Sequence, residues 1–204
     1  MKKEIDRFAR LFRGLNRAYG ALDITTKDAR GKQKGNYKFV HEPRTTATYA
    51  SHLKGEVSIG VVPINEDDAC LWGAIDIDQY PLDHGEVLKR LSRLELPLVA
   101  CRSKSGGAHL YLFFKEFVEA EKVQVKLKEI AAEIGYGGCE IFPKQIKLVL
   151  ERGDNGNFLN LPYFDHEGGL RYAFNKDGSA ATIVEFLDQA EASAITEDQL
   201  DGLL

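Results

Sequence analysis

Cysteine is scarce in this chain of 204 residues. Its three copies, Cys70, Cys101 and Cys139, are odd in number and show no Cys-x-x-Cys spacing. That argues against a disulfide framework or a zinc ribbon and favours a reducing compartment. Long apolar runs are missing as well: no stretch approaches the ~20 residues of a membrane helix. The N-terminus, Met-Lys-Lys-Glu-Ile-Asp, lacks the apolar segment of a secretory signal. The expected setting is cytoplasmic, with no membrane partner. Nor is there an excess of positive charge. With 27 Lys and Arg against 31 Asp and Glu the net charge is −4, so composition gives no general hint of nucleic-acid binding, although local basic patches can still hold phosphates. No Gly-x-x-x-x-Gly-Lys-Ser/Thr loop occurs, so a P-loop NTPase is not indicated. No serine or cysteine sits in a nucleophile elbow, which argues against a covalent hydrolase. Internal repeats and low-complexity tracts are absent.

What is present is the composition of a globular domain, 44% apolar and 28% charged, in a chain long enough to bury a full core. Ile5, Phe8, Leu11, Phe12, Leu15 and Tyr19 recur at spacings of three and four, which predicts an amphipathic helix ending near Gly20. From Asp23 to His41 the chain turns polar and basic, with Lys27, Arg30, Lys32, Lys34 and Lys38 among glycines, Tyr37 and Phe39. This reads as a loop, either simply solvated or gripping a nucleic-acid backbone together with Arg44. Thr45 or Thr46 caps a short helix to Leu53, and residues 57–62 read as a strand.

The central stretch is Cys70-Leu-Trp-Gly-Ala-Ile-Asp-Ile-Asp78, an apolar strand ending in two carboxylates. Successive side chains of a strand point to opposite faces, so Asp76 and Asp78 share one. Two acids so placed suit a hard divalent cation, or merely mark a solvent-facing strand end before a turn at Gln79-Tyr80-Pro81. A helix follows, capped by Asp83 and stopped at Pro97, then a short strand at 98–101. The polar turn Arg102-Ser-Lys-Ser-Gly-Gly107 leads into a strand from His109 to Phe114. A helix spans 118–134, and Cys139-Glu-Ile-Phe142 is a final strand.

The order strand, helix, strand, strand, helix, strand over 70–142 is the split βαβ, or ferredoxin-like, unit. Its first strand lies between the third and fourth and is antiparallel to both. Asp76, Asp78, His109 and Glu140 therefore gather at one end of one sheet. Carboxylates beside a Gly-rich turn with serine and lysine fit phosphoryl chemistry: metals bridge phosphate oxygens, Gly106 and Gly107 let backbone N–H groups approach a triphosphate, Ser103 and Ser105 donate hydroxyls, and Lys104 or Lys144 supplies charge. Arg102 serves the nucleotide or braces the hairpin; Asn157 and Asn160 bind substrate or cap a turn.

These motifs resemble those of the archaeo-eukaryotic primase superfamily, and more closely its primase-polymerase branch of phages, plasmids and defence-associated systems. The acidic pair is similar to Asp76-Ile-Asp78, the serine, glycine-rich turn and histidine to Ser103-Lys-Ser-Gly-Gly-Ala-His109, and the third acid to Glu140 in Cys139-Glu-Ile-Phe-Pro-Lys-Gln145. The resemblance spans residues 45–165. It implies an α+β primase fold, with an N-terminal α/β module (1–69), an RRM-like catalytic module (70–175) and a C-terminal helical segment (176–204) leading toward a helicase or accessory region. It further implies that Asp76, Asp78 and Glu140 bind Mg²⁺ or Mn²⁺, two ions in all, while Ser105 and His109, assisted by Lys104 and Lys144, hold an incoming nucleoside triphosphate. The expected activity is template-dependent nucleotidyl transfer, as DNA primase and/or DNA polymerase, on single-stranded template or primer-template. The rivals are a metal-dependent nuclease or initiator nickase, and a non-catalytic RRM-like module stacking bases on Tyr111 and Phe113.

Overall fold

The first helix is shorter than its apolar spacing predicts. In a computed structural model, which describes residues 1–27 and 33–204 and not the side chains of 23–27 and 33–34, α1 covers Lys2–Leu11. The chain leaves it at Phe12 because two other attachments take over. Leu15 N–H donates to the Val62 carbonyl at 2.9 Å, and a Cβ on Gly14 would overlap that same oxygen. Phe12 and Leu15, both fully buried, enter two different hydrophobic clusters. The three-and-four spacing therefore records burial on two sides of a bend.

The polar run expected as a loop is instead a hairpin of β1 (Tyr19–Lys27) and β2 (Gln33–Val40), antiparallel and with a register shift between Ile24 and Thr26. Of the basic residues in it, Lys32 and the side chains of Lys27 and Lys34 lie outside the described residues, as does Arg30. Helix α2 (Thr46–Leu53) starts at a capping box in which Thr45 accepts from Thr48 N–H. Strand β3 (Ile59–Val61) follows, then β4 (Ala69–Ile77), α3 (His84–Arg93, capped by Asp83), β5 (Leu98–Arg102), β6 (Ala108–Glu119), α4 (Ala120–Glu133) and β7 (Glu140–Phe142). A 3-10 turn at Leu150–Arg152 precedes β8 (Leu159–Asn160). Thr182 and Thr196 cap α5 (Ile183–Ser193) and α6 (Glu197–Asp201).

Eight strands form two sheets among the described residues, ordered β2-β1-β3-β8 and β5-β6-β4-β7. In the second, β4 lies between β6 and β7 and is antiparallel to both, the split βαβ topology expected from the sequence. Both faces of this sheet are covered. Ile75, Ile77, Leu110 and Leu112 join the cluster that includes Val87 and Leu91 of α3 and Val123, Leu127 and Ile130 of α4. Trp72, Ala74, Tyr111 and Phe113 join Phe8 and Phe12, Phe186 of α5, and Tyr19, Ala21, Ile59 and Val61 of the first sheet. Strand β8 falls late in the chain yet pairs with β3, so the first sheet is completed only after the second.

Candidate active site

Register explains why the acids meet. Asp76 on β4 lies directly opposite His109 on β6 and Glu140 on β7, and residues so paired share a sheet face. Asp78 follows one residue after β4 ends. The turn 102–107 joins β5 to β6. Gly106 adopts a φ of +97°, which glycine tolerates without strain. A Cβ on Gly107 would overlap the Ile77 carbonyl oxygen. The turn is therefore pressed against the end of the strand that carries the acids.

A cleft of about 330 Å³ opens at this end, lined by Asp76, Asp78, Arg102, Ser103, Lys104, Ser105, His109, Glu140 and Lys144 from the second sheet and its turns. Asn157, Phe158 and Asn160 line its other wall, with Arg171. Each acid is engaged by a protein donor. His109 Nε2 lies 3.3 Å from Asp76 Oδ1. Tyr80 donates its hydroxyl to Asp78, and that bond raises the Tyr80 pKa. Lys144 Nζ sits 2.8 Å from Glu140 Oε1. The imidazole of His109 is fixed from behind as well: Nδ1 is 3.2 Å from the Tyr111 hydroxyl, which reaches the Asn160 carbonyl of the other sheet at 3.5 Å. Burial raises the Tyr111 pKa well above its ordinary value, so that hydroxyl stays neutral. Beside the acids, burial, with the Asp76 charge, also raises the Cys139 thiol.

Among the described residues no three His, Cys, Asp or Glu side chains are grouped closely enough to hold a metal ion. The donor set nevertheless suits Mg²⁺ or Mn²⁺, being hard carboxylate oxygens from adjacent strands. To share a cation, Asp78 and Glu140 would exchange Tyr80 and Lys144 for it. The Glu140 side chain, 60% exposed, has room to turn.

The nucleotide-side residues are partly as expected. Ser103, Lys104 and Ser105 line the cleft, and the Lys104 ammonium lies 5.9 Å from the Tyr37 ring centroid across the gap. Gly106 and Gly107 shape the turn and do not line the cleft. Gly106 N–H donates to the Ser103 carbonyl at 3.1 Å, so in this conformation it is spent within the turn. Arg102 lines the cleft but directs its guanidinium to the carbonyls of Ser103 (3.5 Å) and Leu170 (3.3 Å). Arg44 is not brought to the cleft: it braces the connection after α1 through the Leu15 carbonyl (2.6 Å) and the Tyr49 hydroxyl (2.8 Å). Lys38 is exposed on the face of β2 opposite to Tyr37 and Phe39.

Arg171, like Phe158, is a cleft residue that sequence reasoning missed. It is 7% exposed and lines the cleft, held by the Ser58 hydroxyl (2.9 Å), the Leu161 carbonyl (3.4 Å) and the ring of Phe164 at 5.3 Å. No carboxylate pairs with it among the described residues. A buried cation so placed favours an anion in the cleft. Nothing in Arg171-Tyr-Ala-Phe174, a strand-like run, distinguishes it.

The model of the archaeo-eukaryotic primase domain of the TOTE conflict system matches residues 21–170. The chain belongs to that family. Its function is accordingly of the primase, nucleotidyltransferase type. No curated protein matches. Among solved structures, the archaeo-eukaryotic primase domain of the cyanophage S-2L primase-polymerase is similar with a TM-score of 0.50 and 14% identity, over 93% of this chain and 98% of that one. Primase RepB′ aligns over 98% of this chain and 63% of its own, with 12% identity and a TM-score of 0.46. The RepB′ catalytic domain in complex with initiator DNA aligns at 13% identity over 98% and 95% of the two chains, with a TM-score of 0.44. At such identities the cyanophage domain speaks for the primase fold alone. Among the described residues no helix is long and apolar enough to cross a membrane.

Proposed function

We propose that this primase-family chain is a metal-dependent, template-directed nucleotidyltransferase, a DNA primase and/or DNA polymerase that adds nucleoside triphosphates to a growing strand on single-stranded template or primer-template. One observation carries the reading: Asp76, Asp78 and Glu140 share a single cleft with the 103–105 turn and His109. Mg²⁺ or Mn²⁺ held by the three carboxylates would lower the pKa of the attacking hydroxyl and neutralise charge on the leaving pyrophosphate. The chain's own residues do the rest. The Ser103 and Ser105 hydroxyls donate to the triphosphate, and Lys104, Lys144 and Arg171 balance its charge. His109, held through Nδ1 by Tyr111, turns its Nε2–H from Asp76 to a phosphate oxygen when Asp76 takes up the metal. The 3′ hydroxyl of the strand gives its proton to water, its oxygen bonds to the α-phosphorus, and the bond from that phosphorus to the β-phosphate oxygen breaks, so that pyrophosphate leaves.

The rival in which Tyr111 and Phe113 stack bases is disfavoured, because both are fully buried between the two sheets. The deciding experiment is primed and primer-free synthesis on single-stranded DNA with ribo- and deoxyribonucleotides and either metal. Incorporation that disappears in Asp76→Ala/Asp78→Ala supports the reading; shortening of labelled DNA with metal but no nucleotide points instead to a nuclease.

A further inference from the structure

The cleft wall opposite the acids carries an aromatic ring laid on glycine. Register places Gly20 beside Phe39 and Gly60, and Gly60 beside Asn160, so these share the outer face of the first sheet. Phe158, two residues before Asn160, falls on the same face. A Cβ on Gly20 would lie 2.6 Å from three carbons of the Phe158 ring at once. Equal distances mean that the ring lies face-on to that strand. A Cβ on Gly60 would overlap the same ring. Glycine inside a strand weakens it and often marks a close approach; here two adjacent strands carry one beneath the same side chain. Tyr37 and Phe39 hold the ring from its flanks, with centroids at 5.8 and 5.2 Å. Phe158 is half-buried, packs against the cluster that holds Leu15, Val62 and Ile64, and lines the cleft.

A second observation adjoins the first. Asn160 also lines the cleft, and its Oδ1 is buried with no hydrogen-bond partner among the described residues. A buried acceptor without a donor is uncommon in a native fold. Phosphate, itself an acceptor, cannot satisfy it.

We infer that Phe158 and Asn160 form the nucleoside half of the nucleotide site. The ring of Phe158 stacks on the nucleobase, and Asn160 Oδ1 accepts an N–H or O–H from the nucleoside. The triphosphate lies at the other wall, against Ser103, Lys104 and Ser105. Every base has a π-face, so such a platform accepts all four. The inference rests on the proposed nucleotide reading and deepens it.

The test is calorimetric titration of the full chain with deoxyadenosine triphosphate and, separately, inorganic tripolyphosphate, both with Mg²⁺. Wild type should bind the nucleotide more tightly than tripolyphosphate. Phe158→Ala should weaken nucleotide binding by about tenfold and leave tripolyphosphate within about twofold. Phe158→Leu, which keeps apolar bulk without a π-face, guards against a folding defect and should show the same selectivity, as should Asn160→Leu. Equal losses for both ligands, or no loss for the nucleotide, overturn the inference. If wild type binds the two ligands equally, no nucleoside half exists although the phosphate site stands. If it binds neither, the nucleotide reading itself fails.

Discussion

At the scale of single residues, the cleft is a set of carboxylates, each met by one protein donor, beside a buried cation. Asp76, Asp78 and Glu140 are each capped by His109, Tyr80 or Lys144, and Arg171 is buried in the cleft wall without a carboxylate among the described residues. His109→Ala removes a donor fixed on a strand and should lower kcat/KM for nucleotide incorporation by about 100-fold; steady-state kinetics on primed template checks this, and an unchanged value removes His109 from the machinery. Arg171→Met keeps most of the side-chain volume and should raise the nucleotide KM, with thermal melting as the control for folding. That the acids, the serines and His109 meet in one cleft was legible in the sequence because each sits in a short motif at a strand end of the split βαβ unit. Arg171 was not. It comes from a segment beyond the split βαβ unit, and only tertiary folding brings it to the cleft.

At the scale of elements, the order of strands and helices from 69 to 142 could be read because each has its own period or cap, as Asp83 caps α3. The bounds were less legible, since α3 ends at Arg93, before Pro97, and β6 runs on to Glu119 into the start of the expected helix. In the first forty residues only the start of the first helix could be read. There a bend around Gly14 puts neighbouring apolar side chains into two cores, and a polar strand pair imitates a loop. Two predictions belong here. Gly107→Ala forces a Cβ onto the Ile77 carbonyl, so it should cost about 1–3 kcal/mol and separate the turn from Asp76 and Asp78; urea melts and incorporation assays should both register it. His52 joins three elements: its Nε2–H donates to the Pro162 carbonyl at 2.8 Å, and Nδ1 accepts from Ile59 N–H at 3.1 Å. Burial chiefly lowers its pKa from 6.5 to about 3, opposed by the Pro162 bond and aided by the Arg171 charge. The unfolded chain thus binds the extra proton between those values, so His52's contribution to stability is complete above pH 6.5 and is lost as pH falls toward 3. Melting temperature of wild type should drop over that window, and His52→Gln should flatten the dependence.

At the scale of the whole molecule, the two sheets share one hydrophobic core. Strand β8, which follows the whole second sheet along the chain, returns to pair with β3 of the first, and Arg7 of α1 ties the N-terminus to Asp188 (2.6 Å) and Glu191 (2.8 Å) of α5. The single tryptophan, Trp72, is buried between the sheets against Phe12 and Tyr111. Its fluorescence and far-UV circular dichroism should therefore report one coincident urea transition; two separated transitions would show that the modules fold independently. This wrapping also builds the cleft, since acids and turn come from one sheet and Phe158 and Asn160 from the other. The central claim concerns what happens in that cleft. The most direct measurement is incorporation of labelled nucleotide on a primed single-stranded DNA template with Mg²⁺ or Mn²⁺, comparing wild type with Asp76→Ala/Asp78→Ala. The account predicts metal-dependent extension by wild type and none by the folded double variant; undiminished extension by that variant would contradict it.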